Sequence, residues 1–350
     1  MSLARIFWMF FRAGLAFGGG LAILAVLENE LVSRRRIVTR DEFLTTYALG
    51  RIVPTGTMTA VAVAIGHRLG GVAGTVAALL GLTLPAFVST VALTAAYRQL
   101  QDTRGFALLS VTLLPAALSL VVAAAVNLAR SAIGRRPEMA LAVAALIASL
   151  VFHVNPAIGA ARQRPRRRAP PRPTAERMTL VQLVGLILLF NAMTFGNGPV
   201  MIPLLRESLV SGRGVLTTDE LLYAFTVARI TPGPANSYVA SIGYMLFGLP
   251  GAALCAIAVV APGVLMLPLQ YGYGLLRSAR AVSGFTRGLI GASVGLIFAA
   301  SVEMARASLT TPGAWIVFAV AIVAATVLRW NNLLVLLVPS AIGLALSAFL

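Results

Sequence analysis

Residues 74–97, 106–129 and 314–328 each run on without a single charged side chain. Apolar runs near twenty residues match the hydrocarbon core of a bilayer, about 30 Å thick at 1.5 Å per helical residue. In lipid every backbone N–H and C=O must be satisfied within the segment, so such runs fold as helices. Composition leaves no other home for them. Hydrophobic residues make up 59% of the 350 and charged residues only 11%, with a mean hydropathy of +0.90. A soluble domain carries about 25% charged residues, so this chain cannot cover itself with a solvated surface. The fold class is all-α: a polytopic integral membrane protein whose first partner is the lipid bilayer.

The net charge of +17 would point to nucleic acid in a soluble protein. Here all 28 basic residues are arginine, and most lie in short loops or one central segment, where positive charge fixes topology. No nucleic-acid partner is expected. The single cysteine, Cys255, sits in an apolar run and excludes a disulfide framework or a Cys-rich metal site. His67 and His153 have no evident Ser or carboxylate partner, and neither spacing suits a metal. No metal or cofactor is expected. The G-x-S-x-G match at residues 291–295 lacks the strand-to-helix turn that a hydrolase elbow needs, so the chain reads as no enzyme. Arg12 interrupts the first apolar run and no small-residue cleavage site follows, which argues against a removable signal peptide.

Seven Arg and four Pro fill residues 162–177, "RQRPRRRAPPRPTAER". Nothing there can be buried, so the segment reads as a disordered linker, cytoplasmic by its charge. It divides a first membrane repeat (1–161) from a second (178–350). The halves are related. From Phe17 to Val61, at a constant offset of 178, 16 of 45 positions are identical. A one-residue slip then aligns "IGHRLGGVAG" (65–74) with "IGYMLFGLPG" (242–251), and Pro85 with Pro262. Five apolar segments are expected in the first half (5–27, 44–66, 72–97, 105–129, 138–159). Six are expected in the second (179–205, 219–245, 248–276, 284–305, 313–328, 332–350). An odd number of crossings per half inverts the repeats in the membrane. The first two segments of each half are interrupted and fit re-entrant helices equally well. Gly66, Gly70 and Gly74 read as a small-residue packing ladder.

Each repeat announces its second segment with a Thr three residues before a Glu, "TRDE" (39–42) and "TTDE" (217–220), the pattern of a capping box. Arg51 and Arg229 follow the Glu by nine residues, about 13 Å along a helix. That depth lies near the bilayer midplane if the helices span. Helix-breakers lie close by. Gly18, Gly19 and Gly20 interrupt the first segment of repeat one, and Gly196, Asn197 and Gly198 that of repeat two. Pro54, Thr55, Gly56 and Thr57 interrupt the second segment of repeat one, and Pro232, Gly233, Pro234 and Asn236 that of repeat two. Intramembrane backbone leaves helical geometry only where protein or a water-filled cavity satisfies it. Matched interruptions in two repeats are the strongest sequence pointer to a transporter's binding site. Half-helix N-termini attract anions, and an Arg adds a full charge and a fork of donors. The sixteen residues named here therefore form the candidate anion site. Arg51 and Arg229 have a competing reading as structural residues that snorkel or bind carbonyls.

These residues carry a resemblance. "FGGG", "NELVSRRRIVTRDEF", "PTG" and "IGHRLGG", repeated as "TFGNG", "TTDEL", "ITPGP" and "IGYMLFGLPG", resemble the chromate transporter family in its two-domain form. The resemblance implies efflux of chromate, an oxyanion similar to sulfate, by secondary transport across the bacterial inner membrane, driven by the proton motive force. The chain departs from the family pattern at Thr55, Asn197, Ser208, Arg51 and Arg229. Transport of another anion, sulfate-like or organic, and a scaffold subunit without flux of its own are the alternatives. Homo-oligomerisation is left open.

Overall fold

Short polar side chains ahead of apolar runs start the helices. Thr217 accepts from the Glu220 N–H at 3.1 Å while its own N–H donates to Glu220 Oε2 at 2.7 Å, a complete capping box. Thr179 and Gln182 make the same reciprocal pair at 3.0 and 3.2 Å. In the first repeat only half the box forms. Thr39 Oγ1 accepts from the Glu42 N–H at 3.3 Å, but the Glu42 carboxylate is held by Arg68 instead.

The computed structural model describes residues 1–17, 20–50, 53, 55–100, 103–132, 136–153, 178–193, 201–272 and 280–349, and among them there is no strand. The linker 162–177 lies outside the described residues. The first repeat comprises α1 (Leu3–Gly14), α2 (Gly20–Glu28) running into a π-helical turn (Asn29–Arg34), α3 (Arg40–Gly50), α4 (Thr57–Leu100), α5 (Arg104–Ala132) and α6 (Arg136–His153). The second opens with α7 (Leu180–Met193), α8 (Met201–Leu205) with its π-helical turn (Arg206–Gly212), and α9 (Thr218–Ile230). A 3-10 turn (Ala235–Ser237) leads to α10 (Tyr238–Val260), and another (Ala261–Leu265) to α11 (Met266–Tyr271). Then come α12 (Arg280–Ser308), α13 (Pro312–Thr326) and α14 (Asn332–Phe349).

Two helical stretches are long and apolar enough to cross a bilayer, Thr57–Leu100 and Ala235–Gln270. Each doubles back at a glycine. Gly71 (φ +61°, ψ −147°) and Gly248 (φ +64°, ψ −153°) occupy matched positions of the aligned repeats and hold nearly the same left-handed backbone. A Cβ on Gly66 would lie 2.7 Å from the carbonyl oxygen of Gly74, eight residues on. In a straight helix eight residues span about 12 Å, so the arms 57–69 and 72–100 fold against each other. Gly243 and Gly251 close the second seam the same way. Of the packing glycines read from the sequence, Gly66 and Gly74 close the seam between the two arms, because the chain reverses between them, while Gly70 lies against Ile6 and Leu3 of α1.

The interrupted segments are re-entrant. At the base of one hairpin Glu42, at the start of α3, pairs with Arg68, at the end of the first arm of α4. At its far end Gly50 packs against Thr57, with 3.0 Å between a built Cβ and the Thr57 carbonyl. The chain therefore enters along α3, reverses between Gly50 and Thr57 and returns to the face it left. The second repeat does the same from the opposite face. Along the long arm of α4, the Tyr223 hydroxyl donates to the Leu93 carbonyl at 2.9 Å and its ring stacks on Tyr97 at 3.8 Å. Thr231 then meets Thr90 at 3.4 Å, Gly233 meets Ala86, and Ser241 returns to Thr94 at 2.7 Å. That arm is 29 residues, about 43 Å, so the two hairpins enter from its opposite ends.

The remaining helices pack beside these hairpins. The Arg130 guanidinium at the end of α5 reaches the Thr326 carbonyl at the end of α13, so the two run in parallel. A Cβ on Gly295 of α12 would press on Ala142 and Leu146 of α6, and Gly343 of α14 lies against Thr112 of α5. Each repeat thus adds helices after its hairpins, with α14 the last of the second. Entering from opposite ends of the long α4 arm, the hairpins of the two repeats are inverted relative to each other. Ala116–Leu118, Leu120 and Val121 of α5 sit in the same buried cluster as Leu183, Leu205, Leu221 and Val317, so the repeats share a core.

Candidate functional site

The tips of the opposed hairpins meet at the centre. Thr55, only 3% exposed, donates its hydroxyl across the repeats to the Val259 carbonyl at 3.2 Å. Asn191 Nδ2 donates to the same carbonyl at 2.6 Å. A Cβ on Gly56 would stand 3.2 Å from Asn236 Nδ2, and one on Gly263 would stand 3.3 Å from Thr59. On the other flank the Gly233 N–H donates to the Ala16 carbonyl at 3.2 Å, where α1 ends. With φ +99° and Ala86 Cβ only 2.7 Å from any Cβ placed there, position 233 admits glycine alone without rearrangement. Gly20, at the start of α2, faces Met58.

A cavity of about 30 Å³ lies between the tips, room for one or two waters. Its walls come from both repeats: Thr59, Thr83, Ala86 and Phe87 of α4, and Pro234, Asn236, Ser237 and Ala240 of the opposing tip, closed by Ala256, Val259 and Val260. The Ser237 hydroxyl is buried and makes no hydrogen bond among the described residues. Thr83 donates its hydroxyl proton to the Leu79 carbonyl at 2.7 Å, so it forms a wall of the cavity and not a donor into it. The first arms of α4 and α10 both begin at this centre and run to opposite faces, so two helix N-termini with their partial positive charge converge on it.

Of the candidates read from the sequence, Thr55, Gly56, Pro234 and Asn236 are brought together at the tips. Thr57 opens the first arm of α4 beside them. Gly20, Pro232 and Gly233 lie on the flanks of the same junction. Gly18, Gly19, Arg51, Pro54, Gly196, Asn197 and Gly198 lie outside the described residues. Arg229 occupies the last turn of α9, where a cation complements the helix C-terminus. Its guanidinium carbon stands 4.6 Å over the Phe225 ring, and its buried Nε bonds nothing among the described residues. It does not line the cavity. Thr59 and Thr83 were missed by the sequence reading, since a hydroxyl in an apolar run normally bonds its own helix. No group of three or more His, Cys, Asp or Glu that could hold a metal occurs among the described residues.

A family model described as chromate transporter matches residues 4–161 and again 181–345. The chain is 27% identical over 338 residues to a probable chromate transport protein of Synechococcus elongatus, covering 88% of this chain and 86% of that one. It is 26% identical to the chromate transport protein of Cupriavidus metallidurans, covering 88% and 84%. With the chromate transport protein of Pseudomonas aeruginosa it shares 27% identity over 87% and 82%. No solved structure matches it.

Proposed function

Because this chain belongs to the chromate transporter family, we propose that it is a secondary active transporter exporting a tetrahedral oxyanion, chromate foremost, across the bacterial inner membrane. The observation that carries the proposal is the junction of two opposed re-entrant hairpins, with the orphaned Ser237 hydroxyl in its cavity. A buried hydroxyl without a partner costs about 1–3 kcal/mol, which an oxyanion accepting its proton would offset. In this reading Asn236 and Ser237 donate to the anion and the N-termini of the first arms of α4 and α10 hold its charge. Gly18, Gly19, Gly20, Gly196, Asn197 and Gly198 belong to the flanking breaks that let backbone approach it. Pro54, Thr55, Gly56, Thr57, Pro232, Gly233 and Pro234 shape the tips, while Arg51 and Arg229 set the positive potential. Export is coupled to the proton gradient.

The linker 162–177, between repeats 1–161 and 178–350, is assigned to the cytoplasm by its seven arginines.

The test is flux of labelled chromate in proteoliposomes, with and without a pH gradient. Gradient-dependent flux that unlabelled sulfate inhibits weakly is expected. The Arg51→Gln/Arg229→Gln double variant should insert normally and bind chromate more weakly than either single one. Flux indifferent to the gradient would remove the coupling, and stronger competition by sulfate would reassign the substrate. Unchanged chromate affinity in the folded double variant would make the arginines structural.

A further inference from the structure

A second cavity, of about 240 Å³, opens along α1 and shares no lining residue with the central one. Ala4, Arg5, Trp8, Met9 and Arg12 of α1 line one side, and Glu30 and Arg35 of the π-helical turn after α2 line the other. Arg5, Trp8 and Arg12 are spaced three and four residues apart, hence on one helical face. Arg12 lies about 10 Å deeper than Arg5 along the axis. Helical side chains lean toward the N-terminus, which carries its guanidinium back toward Arg5 and the cavity mouth.

The charges there do not balance. Glu30 is the only carboxylate of the lining, and it is engaged by Arg35, whose Nε donates to Oε1 at 2.6 Å, and by Arg34 at 3.7 Å. Neither Arg5 nor Arg12 makes a hydrogen bond or ion pair among the described residues. Three guanidinium groups therefore line a cavity with one carboxylate, already shared. The fold does not require this. At the offset of 178 the second repeat has Leu183, Leu186 and Phe190 where the first has Arg5, Trp8 and Arg12, and Ser208 in place of Glu30. Leu183 is fully buried in the core. The charged cavity is thus an addition to one half of a duplicated scaffold.

We infer that this cavity binds a tetrahedral oxyanion group, bridged between Arg5 and Arg12 with Trp8 against it. The same chemistry is offered by the phosphate of an anionic lipid and by a free inorganic oxyanion. The Arg35 hydrogen bond, with the charges of Arg35, Arg34 and Arg12, holds the Glu30 carboxyl below its usual range against the opposing effect of burial. The carboxylate therefore stays ionised and keeps Arg35 in place as a third wall.

Trp8 reports directly on the cavity. With Trp315→Phe and Trp330→Phe it is the sole tryptophan, since the chain has three. In phosphatidylcholine nanodiscs, sodium sulfate is titrated against the Trp8 emission, with chloride at matched ionic strength as control. In a parallel arm the nanodiscs contain increasing phosphatidylglycerol and no sulfate. A saturable shift in the first arm identifies a free oxyanion, and one in the second identifies a lipid headgroup. Either should weaken about tenfold or more in Arg5→Gln/Arg12→Gln and return in part in Arg5→Lys/Arg12→Lys, which keeps the charge but not the fork. No saturable response in either arm overturns the inference. So does a response that the glutamine pair leaves unchanged. Both arginines are exposed, so the variants leave the core intact.

Discussion

Replacing Gly233 by alanine tests the central junction, because its cost separates into terms that a second substitution can isolate. The first is local. At φ +99° an L-residue is strained by about 1–3 kcal/mol. The second is a contact between repeats. The new methyl would lie 2.7 Å from Ala86 Cβ and 3.1 Å from the Gly14 carbonyl oxygen, against about 3.5–4.0 Å for unstrained carbons. Overpacking of that kind costs about 1–3 kcal/mol. Gly233→Ala should therefore destabilise by about 2–6 kcal/mol. Ala86→Gly removes the nearer obstacle and by itself costs about 1 kcal/mol as a helical glycine. In the double variant the clash term is relieved while the backbone strain stays. The double-mutant cycle should return a favourable coupling of about 1–3 kcal/mol. The assay is reversible unfolding in detergent by SDS titration, followed by tryptophan emission. Coupling below about 0.5 kcal/mol would mean independent sites, and the tip of the second repeat would not rest on α4.

Three further outcomes follow from the same structure. Gly71→Ala and Gly248→Ala should cost similar amounts, about 1–3 kcal/mol each in the same SDS titration, because both hold φ near +60° with ψ near −150° and nothing within 4 Å of an added Cβ. Ser237→Ala removes an unpartnered buried hydroxyl, so thermal stability should hold or rise by about 1 kcal/mol while chromate affinity, read by equilibrium dialysis, falls. Glu30 has its carboxyl held below the ordinary value of 4.5, so its stabilising contribution is present above that pH and fades as pH falls through the lower folded value. The melting temperature should drop in that acid range, and the drop should shrink in Glu30→Gln.

Much of the architecture was legible because it rests on patterns that repeat. Matched glycines, prolines and threonines at a fixed offset placed the breaks in register, and the capped starts at Thr39 and Thr217 fixed where α3 and α9 begin. What the letters could not give was direction. A segment that crosses and one that turns back between Gly50 and Thr57 have the same hydropathy, and contacts such as the pairing of Glu42 with Arg68 tell them apart. The position of Arg229 had a readable signal that went unused: Phe225 lies four residues earlier, within reach of a cation–π contact on one helix. Thr59 and Thr83 had none. The cavity they line is made by two segments, 59–87 and 234–260, far apart in sequence, and no local spacing encodes that. The cavity beside Trp8 was hidden for the same reason, since Arg5 and Arg35 meet only after the first hairpin closes.

An inverted pair of hairpins has a property that a parallel pair lacks. If each half can take two shapes, exchanging the shapes between halves turns a centre open to one side of the membrane into one open to the other, with the same kinds of contact throughout. For perfect copies the two states would be equally populated. These copies differ at the base of each hairpin, where Glu42 is tied to Arg68 across the arms while Glu220 folds back on its own Thr217. An ion pair as exposed as the first is worth up to about 1 kcal/mol, roughly a fivefold bias between the two states. Among the differences between the halves, that surface pair supplies a bias small enough for a bound ligand to offset.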